Sequence, residues 1–253
     1  MHDHKEVGHK HPVSEITESI ISIFTDMGFS VATGPEIETE YYNFDALNIP
    51  KNHPARDMWD TFWIKDPKEI SNDKSQMSKL LRTHTSPVQI RYMENNKPPL
   101  RIIAPGKVFR HEATDATHEA QFFQIEGLVV DKGISLSHLK GVLQSFFEKL
   151  FSTKTDVRFR PSFFPFVEPA VEIDMSCFKC SKKGCATCKG TGWIEIMGAG
   201  MVHPDVLKGC GIDPAIYTGF AFGGGIDRFV MAKYEIPDVR MLYNGDLRLV
   251  NQF

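Results

Sequence analysis

The stretch from Gly106 to Val130 constrains the fold more than any other, because two β-prone runs there flank a polar, charged loop. Arg101-Ile-Ile-Ala104 is rich in apolar residues, and Pro105-Gly106 reads as a turn signal before Arg110. His111 to Glu119 reads as a loop, and Phe122 to Val130 returns as a second β-rich run. Two antiparallel strands joined in this way would carry a long loop over a site. A guanidinium, carboxylates and an aromatic ring would then surround one ligand, a set that suits an anionic nucleotide. A solvated structural hairpin accounts equally for these residues taken alone.

A second segment, Gly219-Phe-Ala-Phe-Gly-Gly-Gly-Ile-Asp-Arg228, joins a glycine-rich strand end to the helical pattern Ile226, Phe229, Val230, Lys233. Glycines allow a ligand to approach the backbone closely. The run has neither the G-x-G-x-x-G order nor the Lys-Ser/Thr ending of a P-loop. Combined, the strand-loop-strand bearing Arg110 and the strand-helix bearing Arg228 resemble motifs 2 and 3 of the class II aminoacyl-tRNA synthetases. Further blocks narrow the resemblance to the alpha subunits of bacterial-type phenylalanyl-tRNA synthetase. They are Gly34-Pro-Glu-Ile-Glu38, Tyr42-Asn-Phe-Asp-Ala-Leu-Asn-Ile-Pro50, His53-Pro-Ala-Arg-Asp57 and Thr83-His-Thr-Ser86. Gln124-Ile-Glu126, Phe163-Phe-Pro-Phe-Val-Glu-Pro169 and Gly200-Met-Val-His-Pro204 follow in the family's order. The likeness runs from about residue 8 to the end.

The resemblance implies activation of phenylalanine by ATP, then transfer of the aminoacyl group to tRNA(Phe). The amino-acid carboxylate is itself the nucleophile, so catalysis would consist of positioning and charge stabilisation. Arg110 and Arg228 are the implied catalytic residues. Arg110 would grip the α-phosphate with two donors at once, and Phe122 and Arg228 would sandwich the adenine. Glu112 and His118 would complete the nucleotide site, although His118 also reads as an ordinary surface histidine. Glu126, Gln124, Ser86 and His84 would hold the ammonium end of phenylalanine, bordered by Trp59. Phe164, Phe166, Val167, Ala221 and Gly223 would form the slot for its ring. Read alone, Phe163 to Phe166 is ordinary core. An apolar slot discriminates weakly against a ring that merely gains a hydroxyl, and editing in this family belongs to the beta subunit. Glu168 is the implied magnesium ligand and Glu195 a weaker one, a buried structural carboxylate being the bland reading of Glu168. The family also implies an α2β2 assembly with a beta subunit.

Some spellings depart from the family's common ones: His111 after the motif 2 arginine, Gly224 in place of a larger apolar residue, and Asp227 in place of glutamate before Arg228. They bear on loop rigidity and the fit near adenine. Family alpha subunits usually begin with a long helical hairpin that reaches tRNA. None precedes Gly8, so the expectation is a truncated or naturally short form.

Four of the five cysteines lie in Cys177-Phe-Lys-Cys180 and Cys185-Ala-Thr-Cys188. Two C-x-x-C pairs supply four thiolates for one closed, tetrahedral structural zinc; free or redox-active thiols are the alternative. The insert lies between β-like runs at Ala170–Met175 and Trp193–Met197, so it would staple a hairpin tip. Not all family members carry these cysteines, and a closed site has no catalytic role.

With 253 residues the chain can bury one substantial core. A net charge of −3 excludes a protein that grips nucleic acid over its whole surface. No apolar run has membrane-spanning length, and the start Met-His-Asp-His is no signal peptide. A cytoplasmic location is expected.

Residues 1–12, with His2, His4, His9 and His11, read as a flexible lead-in, and 13–253 as one catalytic domain carrying the 177–188 insert. Ile16, Ile20, Ile23, Phe24 and Met27 have helical spacing, with Ser14 as N-cap and Gly28 as stop. Glu38–Ala46 reads as helical before a loop at 48–57, a motif 1 region that in this class serves the dimer interface. Residues 66–79 read as an exposed excursion. Leu136 to Leu150 has the spacing of a core helix within 135–151. Short strands are expected at Val157–Phe159 and Val171–Met175. Consecutive strand runs with interspersed helices favour an α+β domain with a mainly antiparallel sheet flanked by helices. Two other readings remain: a related enzyme activating another amino acid, and a non-catalytic interaction or RNA-binding scaffold using the cysteine insert as its docking surface.

Overall fold

A computed structural model describes residues 8–58, 60–65 and 78–253, apart from the side chains of Asp57 and Met58. In chain order the first elements are α1 (Pro12–Asp26), β1 (Ser30–Val31), β2 (Ile37–Thr39), α2 (Glu40–Asn43), β3 (Trp63–Ile64), β4 (Lys79–Leu81) and α3 (Ser86–Asn95). They are followed by β5 (Leu100–Phe109), β6 (Gln121–Asp131), α4 (Leu136–Phe151), β7 (Val157–Phe164), β8 (Val167–Ser176) and β9 (Trp193–Val202). The chain ends with α5 (Pro204–Gly209), β10 (Thr218–Gly225), α6 (Ile226–Tyr234) and α7 (Leu247–Val250).

Seven strands form one sheet in the order β1-β5-β6-β10-β9-β8-β7, and β2-β4-β3 form a small second sheet. Only β1 pairs in parallel, with β5; the other pairings of the large sheet are antiparallel. This is the expected α+β architecture. Side chains alternate across the pleat, so the long strands feed two cores. Ile103, Ile125, Val129, Phe220 and Phe222 face α1, α4 and α6, where Phe24 stacks on Phe146 at 4.6 Å and on Phe222 at 5.4 Å. Ile102, Leu128, Val130 and Ala221 belong to the opposite core, with Val88, Ile90 and Leu47. Removing a fully buried ring such as Phe24 would cost about 3–5 kcal/mol.

The helix expected from Ser14 starts at Pro12, with His11 rather than Ser14 as its N-cap. His11 Nδ1 accepts the Val13 N–H at 3.2 Å, and proline fits the first helical position, so His11 and Pro12 belong to the domain rather than to the lead-in. His2 and His4 lie outside the described residues. Gly28, at φ 83°, ends the helix as expected. Pro105-Gly106 is not a turn but part of β5. β1 ends opposite Ile103, so Pro105 sits where that side of β5 is an edge and a missing N–H breaks no ladder bond.

Glu38 is not helical: it lies in β2, buried, with its carboxylate paired to Arg91 at 2.8 Å. The following residues form α2 and a 3-10 turn at Asp45–Leu47, and Pro54–Met58 is a second 3-10 turn within the expected loop. Of the excursion expected at 66–79, residues 66–77 lie outside the described residues, and Lys79 begins β4. The expected strand at Val157–Phe159 continues through Pro161 to Phe164, because β7 is the edge of the sheet and tolerates proline. Similarly, β9 continues through Gly198 and Gly200 to Val202. Among the described residues no helix is long and apolar enough to cross a membrane.

Candidate active site

Gln124 and Glu126 share one face of β6, and β10 lies beside them with Gly223 opposite Glu126 and Gly225 opposite Gln124. A side chain on Gly223 would bring its Cβ within 2.6 Å of Cγ of Glu126, so glycine there leaves the carboxylate its space. α3 approaches the same face. Gln89 Nε2 donates to Oε2 of Glu126 at 2.6 Å, and hydrogen bonding from Ser86 and the Thr85 backbone favours the ionised form of this carboxylate. Burial nevertheless pushes the Glu126 carboxyl up to about 7, against those bonds and the attraction of Arg82. Oε1 of Gln124 is buried with no hydrogen-bond partner among the described residues. An unmet acceptor beside a desolvated carboxylate is suited to a ligand cation that donates several hydrogen bonds.

These groups open into a cavity of about 180 Å³. Its other end is apolar: the rings of Phe164 and Phe166 lie nearly parallel, 18° apart, with centroids separated by 5.9 Å. Gly198 on β9 makes room for Phe164, whose Cζ would lie 2.8 Å from an added Cβ. Val167, Ala221, Val202 and Leu47 complete the apolar walls.

Arg110, the first residue after β5, stands on the cavity wall. Its Nε donates to the Thr83 carbonyl at 3.1 Å, its guanidinium carbon lies 5.1 Å from the centre of the Phe122 ring, and Glu112 approaches it at 3.8 Å. Burial makes the guanidinium easier to deprotonate, and Glu112 and Glu126 oppose that. The segment it leans on is fixed from behind by buried Asn43, which bonds both the Thr83 hydroxyl (3.0 Å) and the Thr83 N–H (3.2 Å). His84 is buried, and desolvation with the charges of Arg110 and Arg82 lowers it to about 3, so its ring is neutral.

Ten sequence-predicted residues therefore meet at one cavity: Arg110, His84, Ser86, Gln124, Glu126, Phe164, Phe166, Val167, Ala221 and Gly223. Trp59 lies outside the described residues. Glu112, Phe122, His118 and Arg228 do not line the cavity. Arg228 is exposed on the first turn of α6 and has no partner among the described residues. His118 is exposed in the 110–120 loop and held by Asp115 at 3.0 Å. Glu168 is 77% exposed, which excludes a buried structural carboxylate, and its neighbour is His203 at 3.5 Å. Glu195 is committed to Arg160 at 2.6 Å. Gln89, Gly198, Ala199 and Val202 also line the cavity but were not anticipated. Gln89 was within reach of sequence reasoning, since it follows Ser86 by three residues on one helix and so shares its face.

The cysteine insert joins β8 to β9, as expected of a hairpin tip. Its four sulfurs lie within 4.8 Å of one another, with Cys177–Cys185 at 3.6 Å and both Cys180–Cys188 and Cys185–Cys188 at 3.7 Å. Tetrahedral zinc with bonds of about 2.3 Å places its sulfurs about 3.8 Å apart. Backbone N–H groups of Gly184, Cys185 and Gly192 point at the Cys180 and Cys188 sulfurs at 3.1–3.2 Å, as thiolates require. The donor set thus fits a closed structural metal.

The model of the tRNA synthetase class II core domain (F) matches residues 1–253. The chain is 57% identical over 249 residues to a phenylalanine–tRNA ligase alpha subunit of Alkaliphilus metalliredigens, covering 98% of this chain and 70% of that protein. Alpha subunits of the same name from Clostridium novyi and Dehalococcoides mccartyi are each 56% identical over 247 residues, with the same coverage. A crystal structure of pyrrolysyl-tRNA synthetase from Desulfitobacterium hafniense superposes with a TM-score of 0.67 over 95% of this chain and 76% of that one. Its 16% identity speaks for the fold alone. With the class II core matched end to end and more than half of its residues shared with these alpha subunits, the chain belongs to the phenylalanine–tRNA ligase alpha subunit family.

Proposed function

We propose that this chain is the catalytic alpha subunit of a phenylalanine–tRNA ligase, forming phenylalanyl-adenylate from L-phenylalanine and ATP and passing the aminoacyl group to tRNA(Phe). The observation that carries this reading is the two-ended cavity. Glu126, Gln124 and Ser86 offer acceptors to an ammonium, while Phe164, Phe166 and Ala221 offer a flat apolar slot. Between the two, the phenylalanine carboxylate faces Arg110, whose planar donors hold the α-phosphate and stabilise charge as that phosphorus is attacked. Neutral His84 adds no charge that competes with the ammonium. Phe122 and exposed Arg228 offer two flat faces to adenine, and Glu112 and His118 close the nucleotide end from the loop. Ala221 is small and leaves room at the ring's far end, and the slot is apolar, so selection against tyrosine is modest.

Glu168 would hold magnesium, which would supply charge neutralisation on the triphosphate. Exposed Glu168 suits this role, because magnesium keeps several waters and takes few protein ligands. Cys177, Cys180, Cys185 and Cys188 hold a structural zinc that ties off the β8–β9 hairpin. The working assembly is α2β2 with a beta subunit, in the cytoplasm. Phenylalanine-dependent ATP–pyrophosphate exchange by that assembly tests the reading, with tyrosine and leucine as controls. Exchange with phenylalanine and its loss in Arg110→Ala are expected; no exchange with any amino acid by a folded complex would sink the enzymatic reading in favour of a scaffold.

A further inference from the structure

The segment after α6 takes no part in the cavity, yet it touches the nucleotide end of the molecule twice. It enters a 3-10 turn at Val239–Leu242. The Val239 N–H donates to the Ala116 carbonyl of the 110–120 loop at 2.9 Å. Beyond the turn, the Tyr243 hydroxyl donates to Oδ1 of Asp227. The second oxygen of the same carboxylate accepts the Phe123 N–H at 2.7 Å. Asp227 is only 5% exposed and directly precedes Arg228, while Phe123 directly follows Phe122. One buried carboxylate therefore joins the strand that carries Phe122 to the helix that carries Arg228. From the other side, His11 Nε2 lies 2.9 Å from the Leu242 carbonyl, so the cap of α1 backs the turn.

We propose that Asp227, Tyr243 and the Val239 N–H form a brace that positions Phe122, Arg228 and the 110–120 loop to receive ATP. The inference rests on the assignment of Phe122 and Arg228 to adenine made above. A loop and two side chains that must be ordered by the ligand subtract that ordering from binding, and a brace that orders them beforehand removes the subtraction. A buried carboxylate with two donors is a rigid anchor, because breaking either bond leaves charge poorly compensated. The amino-acid end of the cavity is built from α3, β7, β8, β9 and the interior of β6 and β10, and none of the three brace residues lines it. Asp227, Tyr243 and Val239 are thus positioning residues, acting through others.

The test is ATP–pyrophosphate exchange by the complex with its beta subunit, with KM measured separately for ATP and phenylalanine. Tyr243→Phe keeps the ring and deletes the hydroxyl. Val239→Pro deletes the other donor at the first position of the turn, where proline fits. Asp238, at φ −141° and ψ 120°, already has the backbone a following proline requires. Each substitution is expected to raise KM for ATP about tenfold with KM for phenylalanine unchanged. Asp227→Ala should do the same, and Asp227→Asn, which can accept from Phe123 and donate to the Tyr243 oxygen, should recover most of the loss. An unchanged KM for ATP in both Tyr243→Phe and Val239→Pro, or equal rises for both substrates, would overturn the brace. Wild-type complex that shows no exchange would remove the parent assignment and the brace with it.

Discussion

Glu126 is the group whose perturbation tests the site most directly. Its carboxyl is raised from 4.5 to about 7, chiefly by burial, a rise equivalent to about 3 kcal/mol. The unfolded chain releases this proton near 4.5, whereas the folded chain holds it to about 7. Between those values the folded state binds more protons, so stability falls as pH rises. The contribution is whole below 4.5 and lost above about 7. Glu126→Gln has no proton to lose and nearly the same shape. In urea unfolding, the stability of the variant relative to wild type should therefore grow by about 3 kcal/mol from acid pH to pH 8. Ligand binding should run the other way. A bound ammonium favours the ionised carboxyl, so wild-type affinity for phenylalanine, measured calorimetrically, should climb up to about tenfold per pH unit below 7 and then level off. The variant should bind weakly at every pH, without that slope. Parallel pH curves for the two proteins, in unfolding and in binding, would refute the argument that a desolvated Glu126 carboxylate is the ammonium acceptor.

Arg110→Lys keeps the charge but not the two-pronged donors, so kcat in exchange should fall about 100-fold or more; a fall of less than about threefold would remove Arg110 from the phosphate. Gly223→Ala places a Cβ 2.6 Å from Cγ of Glu126; it should destabilise the fold by about 1–3 kcal/mol and raise KM for phenylalanine more than KM for ATP. Chain purified under reducing conditions should contain about one zinc per molecule by elemental analysis, and Cys185→Ser should lose it and unfold at lower temperature. Metal-free wild type with an unchanged melting temperature would show that the four thiols are not a structural metal site.

Much of the site was legible in the chain because period-two alternation is local. Gln124 and Glu126, two apart on a strand, had to share a face, and Ala221 and Gly223 likewise. The paired C-x-x-C spacing and the run of apolar residues over 136–150 are local patterns of the same kind, and the cluster of sulfurs and α4 agree with them. Where local signals misled, a neighbour distant in sequence had intervened. Pro105-Gly106 has the composition of a turn but lies in a strand, since only the sheet order shows that β1 stops at Ile103. Ser14 is a fair N-cap by composition, yet His11 takes the role with its other ring nitrogen against the Leu242 carbonyl. Residue types and spacing, then, determined the strand-loop-strand, the glycine-rich strand before α6, the cysteine insert and the chemistry each can perform. The tertiary structure decided which residues meet: that α3 brings Gln89 to Glu126, that Gly198 admits Phe164, and that Tyr243 reaches Asp227. The physical reason is that hydrogen bonds and packing act over a few ångströms in space, across separations along the chain that no short sequence window spans.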